Sequence, residues 1–109
     1  PLAKVLVLGV SFKENVSDIR NSKAIYLAKY LSDAGLDIRV YDPHVKKINK
    51  PVKIKKIKKL PIKSKFDIII LAVSHKKFSN ISPIKILKKN GFIYDINGFF
   101  EKDKRIYGI

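Results

Sequence analysis

The stretch AKVLVLGVSFKENVSDIRNS, residues 3–22, decides the fold of this chain. It opens with a short apolar run rich in Val and Leu, which is typical of a strand buried on both faces of a parallel sheet. The loop from Gly9 to Ser22 then leads into a helical pattern, where a dinucleotide-binding loop would lie. It lacks the G-x-G-x-x-G glycines that bring backbone amides against a pyrophosphate. In their place the loop carries Lys13, Asp18 and Arg20.

The residues after this loop complete a β-α-β unit. Apolar residues recur at helical spacing at Ala24, Leu27, Ala28 and Leu31. Asn21 or Ser22 can cap the start of this helix, and Gly35 is suited to its end. The alternating stretch DIRVYDP, residues 37–43, predicts a second strand that Pro43 stops. This spacing predicts a right-handed crossover and parallel pairing of the two strands.

The second half continues the alternation of strands and helices. The branched aliphatic run FDIIILAV, residues 66–73, predicts a central strand. SPIKILKK, residues 82–89, predicts a short helix with Ser82 as its N-cap and Pro83 at its first position, and Gly91 breaks it. Further strands are predicted at residues 92–96 and, as a possible edge strand, 105–109. The expected fold is therefore α/β, a three-layer Rossmann-like domain with a mainly parallel sheet.

Length and composition predict one domain over residues 1–109, since 46% apolar residues are enough for a single core. The chain has neither Cys nor Met and opens at Pro1 just before its first strand, which favours a piece of a longer protein over removal of an initiator Met. No run of about 18 apolar residues and no basic-then-apolar leader is present, so we expect no membrane span and a cytoplasmic location.

The net charge of +15 first suggests nucleic acid or another polyanion. Ten lysines fall between Lys46 and Lys65 with no acidic residue among them, but the aromatic residues of single-strand binders are missing there. Pro51 and Pro61 forbid one long helix, so we expect a short edge strand near 52–54 and then a short amphipathic helix or turn. A solvated edge whose lysine stems cover apolar surface is the simpler interpretation; recruitment to an acidic membrane or polymer is the functional one.

Loops at the carboxyl ends of parallel strands share one rim, so those at 9–22, 42–50, 73–80 and 95–100 are predicted to lie together. There Lys13 can reach an anion as a point charge, and Arg20 can grip a phosphate with two parallel hydrogen bonds. Asp18 can hold a basic side chain or cap a turn. From spacing alone, a solvated charged loop is the commoner meaning of these residues.

The two histidines suggest no catalytic or metal site. We interpret His75, at a strand end, as a structural residue bonded to loop backbone, and His44 as a surface residue. The two lie too far apart in the sequence for a metal site to be argued.

The ordered motifs closely resemble the C-terminal domain of the UDP-glucose/GDP-mannose dehydrogenase family. The family pattern, roughly G-x-x-F-K-x-x-x-x-D-x-R-x-S followed by a helix, a strand and Y-D-P, is matched at Gly9, Phe12, Lys13, Asp18, Arg20, Ser22, Tyr41, Asp42 and Pro43. FDIIILAVSHKKF resembles the family's A-D-x-x-x-x-x-x-x-H-x-x-F element, and YDINGFF resembles its next strand and loop. The resemblance covers nearly the whole chain.

This resemblance implies a UDP-binding part of an NAD-dependent UDP-sugar 6-dehydrogenase. Such enzymes oxidise the sugar C6 alcohol to a carboxylate through a cysteine adduct, for surface polysaccharide precursors. A chain without Cys would carry no catalytic residue and would depend on the N-terminal NAD-binding and central helical regions of a full-length homodimer. By resemblance, Lys13 and Phe12 contact the UDP-sugar and Arg20 reaches the NAD.

Asn97 departs from the family pattern. Many UDP-glucose enzymes carry an arginine near this position, as in D-G-R-N, and Asn97 can replace its hydrogen bonds to substrate but not its charge. The wording FKENVSDIRNSK is closer to the branch that acts on UDP-N-acetylhexosamines, which favours such a substrate over UDP-glucose. A standalone basic module for nucleic acid or another polyanion is the alternative, although we expect no nucleic acid partner.

Overall fold

The computed structural model of the chain describes residues 3–20, 22–48 and 54–108. In this part the elements, in chain order, are β1 Lys4–Leu8, α1 Lys23–Asp33, β2 Asp37–Tyr41, β3 Lys55–Lys56, β4 Phe66–Leu71, 3-10 helices at Lys76–Asn80 and Pro83–Ile86, β5 Leu87–Asp95 and β6 Ile106–Tyr107. Helical segments separate β1 from β2 and β4 from β5, as predicted, whereas β2, β3 and β4 follow one another, as do β5 and β6, with no helix between them among the described residues.

The six strands form one sheet in the order β3-β2-β1-β4-β5-β6, and every neighbouring pair is parallel. In the centre, Val7 on β1 is in register with Val40 on β2 and with Ile70 on β4. Because all strands point the same way, their carboxyl ends meet at one rim of the sheet. The predicted Rossmann-like α/β fold with a mainly parallel sheet is confirmed.

Two apolar clusters sandwich the sheet, and β1 contributes to both. Val5 and Val7 pack under α1, while Leu6 and Leu8 face the opposite cluster. This alternation buries β1 on both faces, as its unbroken apolar run predicts. The first cluster includes Ala24, Ala28, Ile38 and Val40, and the second includes Phe66, Ile69, Leu71, Phe78, Ile86 and Leu87. The three layers are thus α1, the sheet, and a layer that contains the two 3-10 helices.

Helix α1 has the predicted signals at both ends. The Ser22 side chain accepts a hydrogen bond from the N–H of Ile25, which makes Ser22 the N-cap; Asn21 lies outside the described residues. After the helix, Gly35 has a φ of +100° and donates to the carbonyl of Ser32, while Leu36 donates to that of Leu31. These two bonds satisfy carbonyls that a helix end leaves open, in the pattern of a Schellman motif.

The helix predicted at residues 82–89 is wrong in its second half. Only Pro83–Ile86 are helical, as a single 3-10 turn, and the Ser82 side chain makes no cap hydrogen bond. Strand β5 already begins at Leu87, which is buried and pairs with Phe66. The gain from burying Leu87 in the second cluster outweighs the helical propensity of the short stretch.

Gly91 does not break a helix but lies inside β5. A Cβ at this position would lie 2.6 Å from the carbonyl oxygen of Asp67, so only glycine lets the two strands approach here. The pairing of β4 with β5 shifts register between Phe66 and Ile68, at the same level of the sheet. Glycine therefore marks an irregularity within the strand.

The lysine-rich segment is only partly described. Of the strand expected near 52–54, residues 52 and 53 lie outside the described part; the residues that pair with β2 are Lys55 and Lys56, at the edge of the sheet. No helix follows them among residues 54–65, so the turn alternative holds there. Ile57 and Leu60 pack against the second cluster, which ties the segment to the sheet.

Candidate functional site

Four strand ends meet at the carboxyl rim, as predicted. Asp42 follows β2 and accepts hydrogen bonds from the backbone after β1, at Val10 and Ser11. His75 follows β4 and contacts Asp42. Asn97 follows β5, and its Nδ2 donates to Oγ of Ser74 at 2.7 Å. The loops after β1, β2, β4 and β5 are thus one connected surface.

Gly9 allows the loop after β1 to leave the sheet. Its φ is +88°, a conformation that side chains disfavour, and its N–H donates to the carbonyl of Tyr41 at 2.9 Å. A Cβ here would lie 2.6 Å from both the Cβ and the carbonyl oxygen of Val73. The single glycine of the loop therefore allows the close approach of two backbones.

The Asp42 carboxylate is the centre of the rim. Its Oδ2 accepts from the N–H of Val10 at 2.8 Å and of Ser11 at 3.2 Å, and Oδ1 accepts from the N–H of His44 at 2.8 Å. Burial alone would raise the pKa of Asp42, but hydrogen bonds from His75, Val10 and His44 outweigh it and bring the pKa below its ordinary value. Asp42 is therefore a buried anion that fixes three loop amides.

His75 is fully buried, and both ring nitrogens have partners. Its Nδ1 accepts from the N–H of Asn15 at 2.8 Å, so that nitrogen carries no proton. The proton of the neutral ring is then on Nε2, which donates to Oδ2 of Asp42 at 2.8 Å. The prediction of a structural histidine bonded to loop backbone is confirmed.

His44 is not the surface residue that was expected. Its ring lies 4.5 Å from that of His75, centroid to centroid, and its Nε2 is buried without a hydrogen-bond partner among the described residues. Burial, followed by the nearby His75 and Lys77, lowers the pKa of His44. The two histidines are adjacent in space although 31 positions apart, yet the described residues contain no group of three or more side chains that could hold a metal ion.

The turn that carries Phe12 and Lys13 projects from this buried cluster. Phe12 is 54% exposed, and Lys13 is exposed as well. The N–H of Phe12 donates to the carbonyl of Asp18, which closes the loop on itself. The Oγ of Ser11 donates to the carbonyl of Lys13 at 2.7 Å. An apolar ring and a cation are therefore presented side by side at the rim.

Arg20 is engaged by Asp18. Its Nη2 donates to Oδ2 at 2.9 Å and its Nε donates to Oδ1 at 3.1 Å, a fork on a single carboxylate, while the Arg20 side chain is 87% exposed. The hydrogen bond from Arg20 lowers the pKa of Asp18. Both roles considered for Asp18 are therefore observed. Its carboxylate holds the Arg20 side chain, and it also caps the turn by accepting from the N–H of Arg20.

Residues 6–102 match the UDP binding domain of the UDP-glucose/GDP-mannose dehydrogenase family. The chain belongs to this family. Among curated proteins, it is 32% identical over 112 residues to UDP-N-acetyl-D-glucosamine 6-dehydrogenase of Pseudomonas aeruginosa and 33% identical over 106 residues to protein CapL of Staphylococcus aureus. Each match covers 94% of this chain and 25% of the relative, so the chain spans about a quarter of their length. UDP-glucose 6-dehydrogenase of Gallus gallus is 46% identical, but only over 44 residues, 40% of the chain and 9% of that protein.

Solved structures of the family have the same fold. The UDP-D-ManNAc dehydrogenase of Pyrococcus horikoshii superposes with a TM-score of 0.73 at 22% identity, over 99% of this chain and 25% of that one. A GDP-mannose dehydrogenase of Pseudomonas aeruginosa gives a TM-score of 0.72 at 22% identity, over 98% and 28%. At this identity the likeness supports the fold.

Asn15 and Ser11 are the family-loop residues that sequence reasoning missed. Asn15 has a φ of +61°, and asparagine tolerates this left-handed conformation better than most residues. An Asn two positions after the F-K pair was therefore a usable signal. Ser11 gave none, because its contact with the His75 ring depends on a residue 64 positions away.

Most lysines of the lysine-rich segment, residues 46–65, are exposed to solvent. The exposed ones in the described part are Lys46, Lys47, Lys55, Lys58, Lys59, Lys63 and Lys65. None of these lies within ion-pair distance of a carboxylate of a described residue. Within residues 3–20, 22–48 and 54–108, no helix is long and apolar enough to cross a membrane.

Proposed function

We propose that this chain is the C-terminal UDP-sugar-binding domain of an NAD-dependent UDP-sugar 6-dehydrogenase and forms one wall of its active-site cleft. The observation that carries the proposal is the exposed Phe12–Lys13 turn, held at the carboxyl rim of a UDP binding domain. In open α/β sheets, this rim is where ligands bind. The rest of the enzyme would supply the NAD-binding and catalytic residues.

The substrate contacts follow from the side chains present. Lys13 would neutralise the diphosphate or contact the sugar, and Phe12 would line the nucleotide pocket. Asn97 would add hydrogen bonds from the loop after β5, where its side chain already donates to Ser74. An uncharged amide suits a sugar hydroxyl or an acetamido group better than a phosphate.

Arg20 would contact the cofactor across the cleft. Its guanidinium is exposed and already donates in parallel to two oxygens of one carboxylate, and two oxygens of a phosphate can accept in the same geometry. Arg20 would exchange Asp18 for the NAD diphosphate when the domains close. NAD itself supplies the hydride acceptor for the oxidation at C6.

A UDP-N-acetylhexosamine is the proposed substrate. UDP-N-acetyl-D-glucosamine 6-dehydrogenase of Pseudomonas aeruginosa aligns over 94% of this chain. UDP-glucose 6-dehydrogenase of Gallus gallus aligns over only 40% of it. The full-length protein would act as a cytoplasmic homodimer and feed uronate precursors into surface polysaccharide synthesis. Nucleic acid is not a proposed partner.

Calorimetric titration of the chain with UDP at low salt tests the pocket. The wild type should bind weakly because half of the cleft is missing, and Lys13→Ala should weaken binding about tenfold through loss of a charge-assisted contact. Lys63→Ala is the matched control because it removes the same charge from an exposed site in the basic segment, and it should change binding less than twofold. If UDP and UDP-sugars did not bind at millimolar concentration, or if both variants weakened binding equally, the pocket assignment would be withdrawn.

The cofactor contact requires the intact enzyme. There Arg20→Ala should raise the KM for NAD more than the KM for the UDP-sugar. A larger rise in the KM for the UDP-sugar than in the KM for NAD would assign Arg20 to the substrate instead.

A further inference from the structure

The buried imidazole of His75 touches both sides of the turn that presents Lys13. On one side, its Nδ1 accepts from the N–H of Asn15 at 2.8 Å. On the other side, its Nε2 lies 3.2 Å from Oγ of Ser11, and that hydroxyl donates to the carbonyl of Lys13. One ring therefore contacts the residue two positions before Lys13 and the residue two positions after it.

Asn15 also binds the loop that carries His75 through its side chain. Its Oδ1 accepts from the N–H of Lys76 at 2.7 Å, while its own N–H donates to His75. These reciprocal bonds stabilise the left-handed backbone of Asn15, whose φ is +61°. A left-handed conformation costs a residue with a side chain free energy, less for asparagine than for most, and these bonds offset that cost.

Little else in the described structure fixes the tip of the turn. Phe12, Lys13, Glu14 and Asn15 are all exposed, and none of them belongs to either apolar cluster. Apart from the bonds around His75, one backbone bond from Phe12 to Asp18 closes the loop. An exposed turn without such support would have to be ordered by its ligand, which weakens binding.

We propose that His75 is a positioning residue for nucleotide binding: it holds the Phe12–Lys13 turn in the conformation that receives the diphosphate of the UDP-sugar. His75 does not contact the ligand in this assignment. It sets in advance the backbone from which Lys13 reaches out, and Asp42 in turn fixes the orientation of the ring. The proposal rests on the proposed function, because it concerns the same site.

Two substitutions of His75 separate its two hydrogen bonds. In His75→Asn the amide oxygen can take the place of Nδ1 and accept from Asn15, but the contact with Asp42 is lost. In His75→Gln the amide nitrogen can reach Asp42 in place of Nε2, but the acceptor for Asn15 is lost. Both variants leave a similar gap where the ring was, so each is the stability control of the other.

The expected result is a split between binding and stability. His75→Gln should weaken UDP binding about three- to tenfold, the equivalent of one hydrogen bond, and speed hydrogen exchange of the Asn15 amide. His75→Asn should bind UDP within about twofold of the wild type and keep that amide protected. Equal UDP affinity in both variants, or weaker binding by His75→Asn than by His75→Gln, would overturn the proposal.

A second pair of variants leaves the buried ring intact. Asn15→Gly keeps the left-handed backbone and the N–H but removes the acceptor for Lys76, whereas Asn15→Asp keeps that acceptor. Asn15→Gly should weaken UDP binding about threefold or more relative to Asn15→Asp; equal affinities would count against the proposal.

Hydrogen exchange needs no ligand, so it tests whether His75 holds the turn independently of whether the chain binds UDP. If the wild-type chain bound no UDP, the proposed function would fail together with the role of His75 in nucleotide binding. Exchange at Asn15 would still report whether the imidazole holds the turn.

Discussion

Oδ2 of Asp42 lies 2.8 Å from Nε2 of His75, and both side chains are fully excluded from solvent. This contact joins the end of β2 to the end of β4 across β1. Because Asp42 also accepts from the backbone after β1, a single carboxylate fixes the relative positions of three loops. A buried polar pair therefore connects the loops of the rim.

Asp42→Asn should destabilise the fold by about 3 kcal/mol. Whichever way the new amide turned, its NH2 group would face at least one N–H that a carboxylate oxygen had accepted, at Val10 and Ser11 or at His44, and unsatisfied buried donors are costly. Urea unfolding measures the change. The matched control is Asp103→Asn, because the exposed Asp103 also accepts from a backbone N–H two residues later, at Arg105. It should change the free energy of unfolding by less than about 0.5 kcal/mol; an equal loss in both variants would refute the role of Asp42.

The stability of the chain should fall as the pH drops below about 6.5, with a contribution from His44. Burial holds the folded pKa of His44 below its ordinary value, so the unfolded chain binds the proton first and stability is lost in acid. Asp42 does not act in this window: its lowered pKa keeps its contribution intact until the pH falls below about 3.9.

Unfolding curves at pH 8 and pH 5 check this expectation. His44→Asn should lose less stability between the two values than the wild type does. An unchanged difference would show that other groups carry the pH dependence.

Gly9→Ala should cost about 3 kcal/mol, the sum of an unfavourable positive φ and a clash with Val73. Gly98→Ala is the control. Its φ of +63° is similarly strained, but no heavy atom lies within 4 Å of the added Cβ, so only about 1 kcal/mol should be lost. Chemical denaturation of the two variants separates backbone strain from close approach. Equal losses would show that the contact with Val73 relaxes without cost.

Ser22→Ala should destabilise the chain by about 1–2 kcal/mol, because its hydroxyl accepts from Ile25 and donates to the carbonyl of Val10 at 2.6 Å. Ser82→Ala should be close to neutral, since the Ser82 side chain caps nothing. Thermal unfolding compares the two. A large loss of stability in Ser82→Ala would instead support the N-cap role that the sequence around Ser82 suggests.

The β-α-β unit over residues 3–41 could be predicted because its signals are local. The apolar run before Gly9, the spacing from Ala24 to Leu31 and the turn at Gly35 each act within one element. The β5 region could not be predicted in the same way. Leu87 is a strand residue because Phe66 lies beside it, and Gly91 is required by a carbonyl 24 positions earlier in the chain.

The candidate site divides along the same line. Lys13 and Arg20 could be found from residue type and motif, because side chains that grip anions are few. The contacts that hold their loop could not, since Asp42 and His75 are 33 positions apart and His44 becomes a neighbour of His75 only when β2 and β4 flank β1. The sequence thus yields candidate ligand contacts, which stay predictions, and misses most of the residues that support their loop.

The all-parallel sheet also sets the order and pace of folding. No two paired strands are joined by a hairpin, so each pairing must wait for a crossover to close, and such topologies fold slowly. The crossover from β1 to β2 carries α1, the one α-helix among the described residues, and local helical contacts form early, which makes this unit the expected nucleus. Ala28→Gly in α1 should therefore slow refolding in stopped-flow experiments, whereas Ile93→Val in β5 should mainly speed unfolding. The Phe12–Lys13 loop lies inside that nucleus, but its anchor His75 reaches it only after β4 has docked, so the turn would take its final form late.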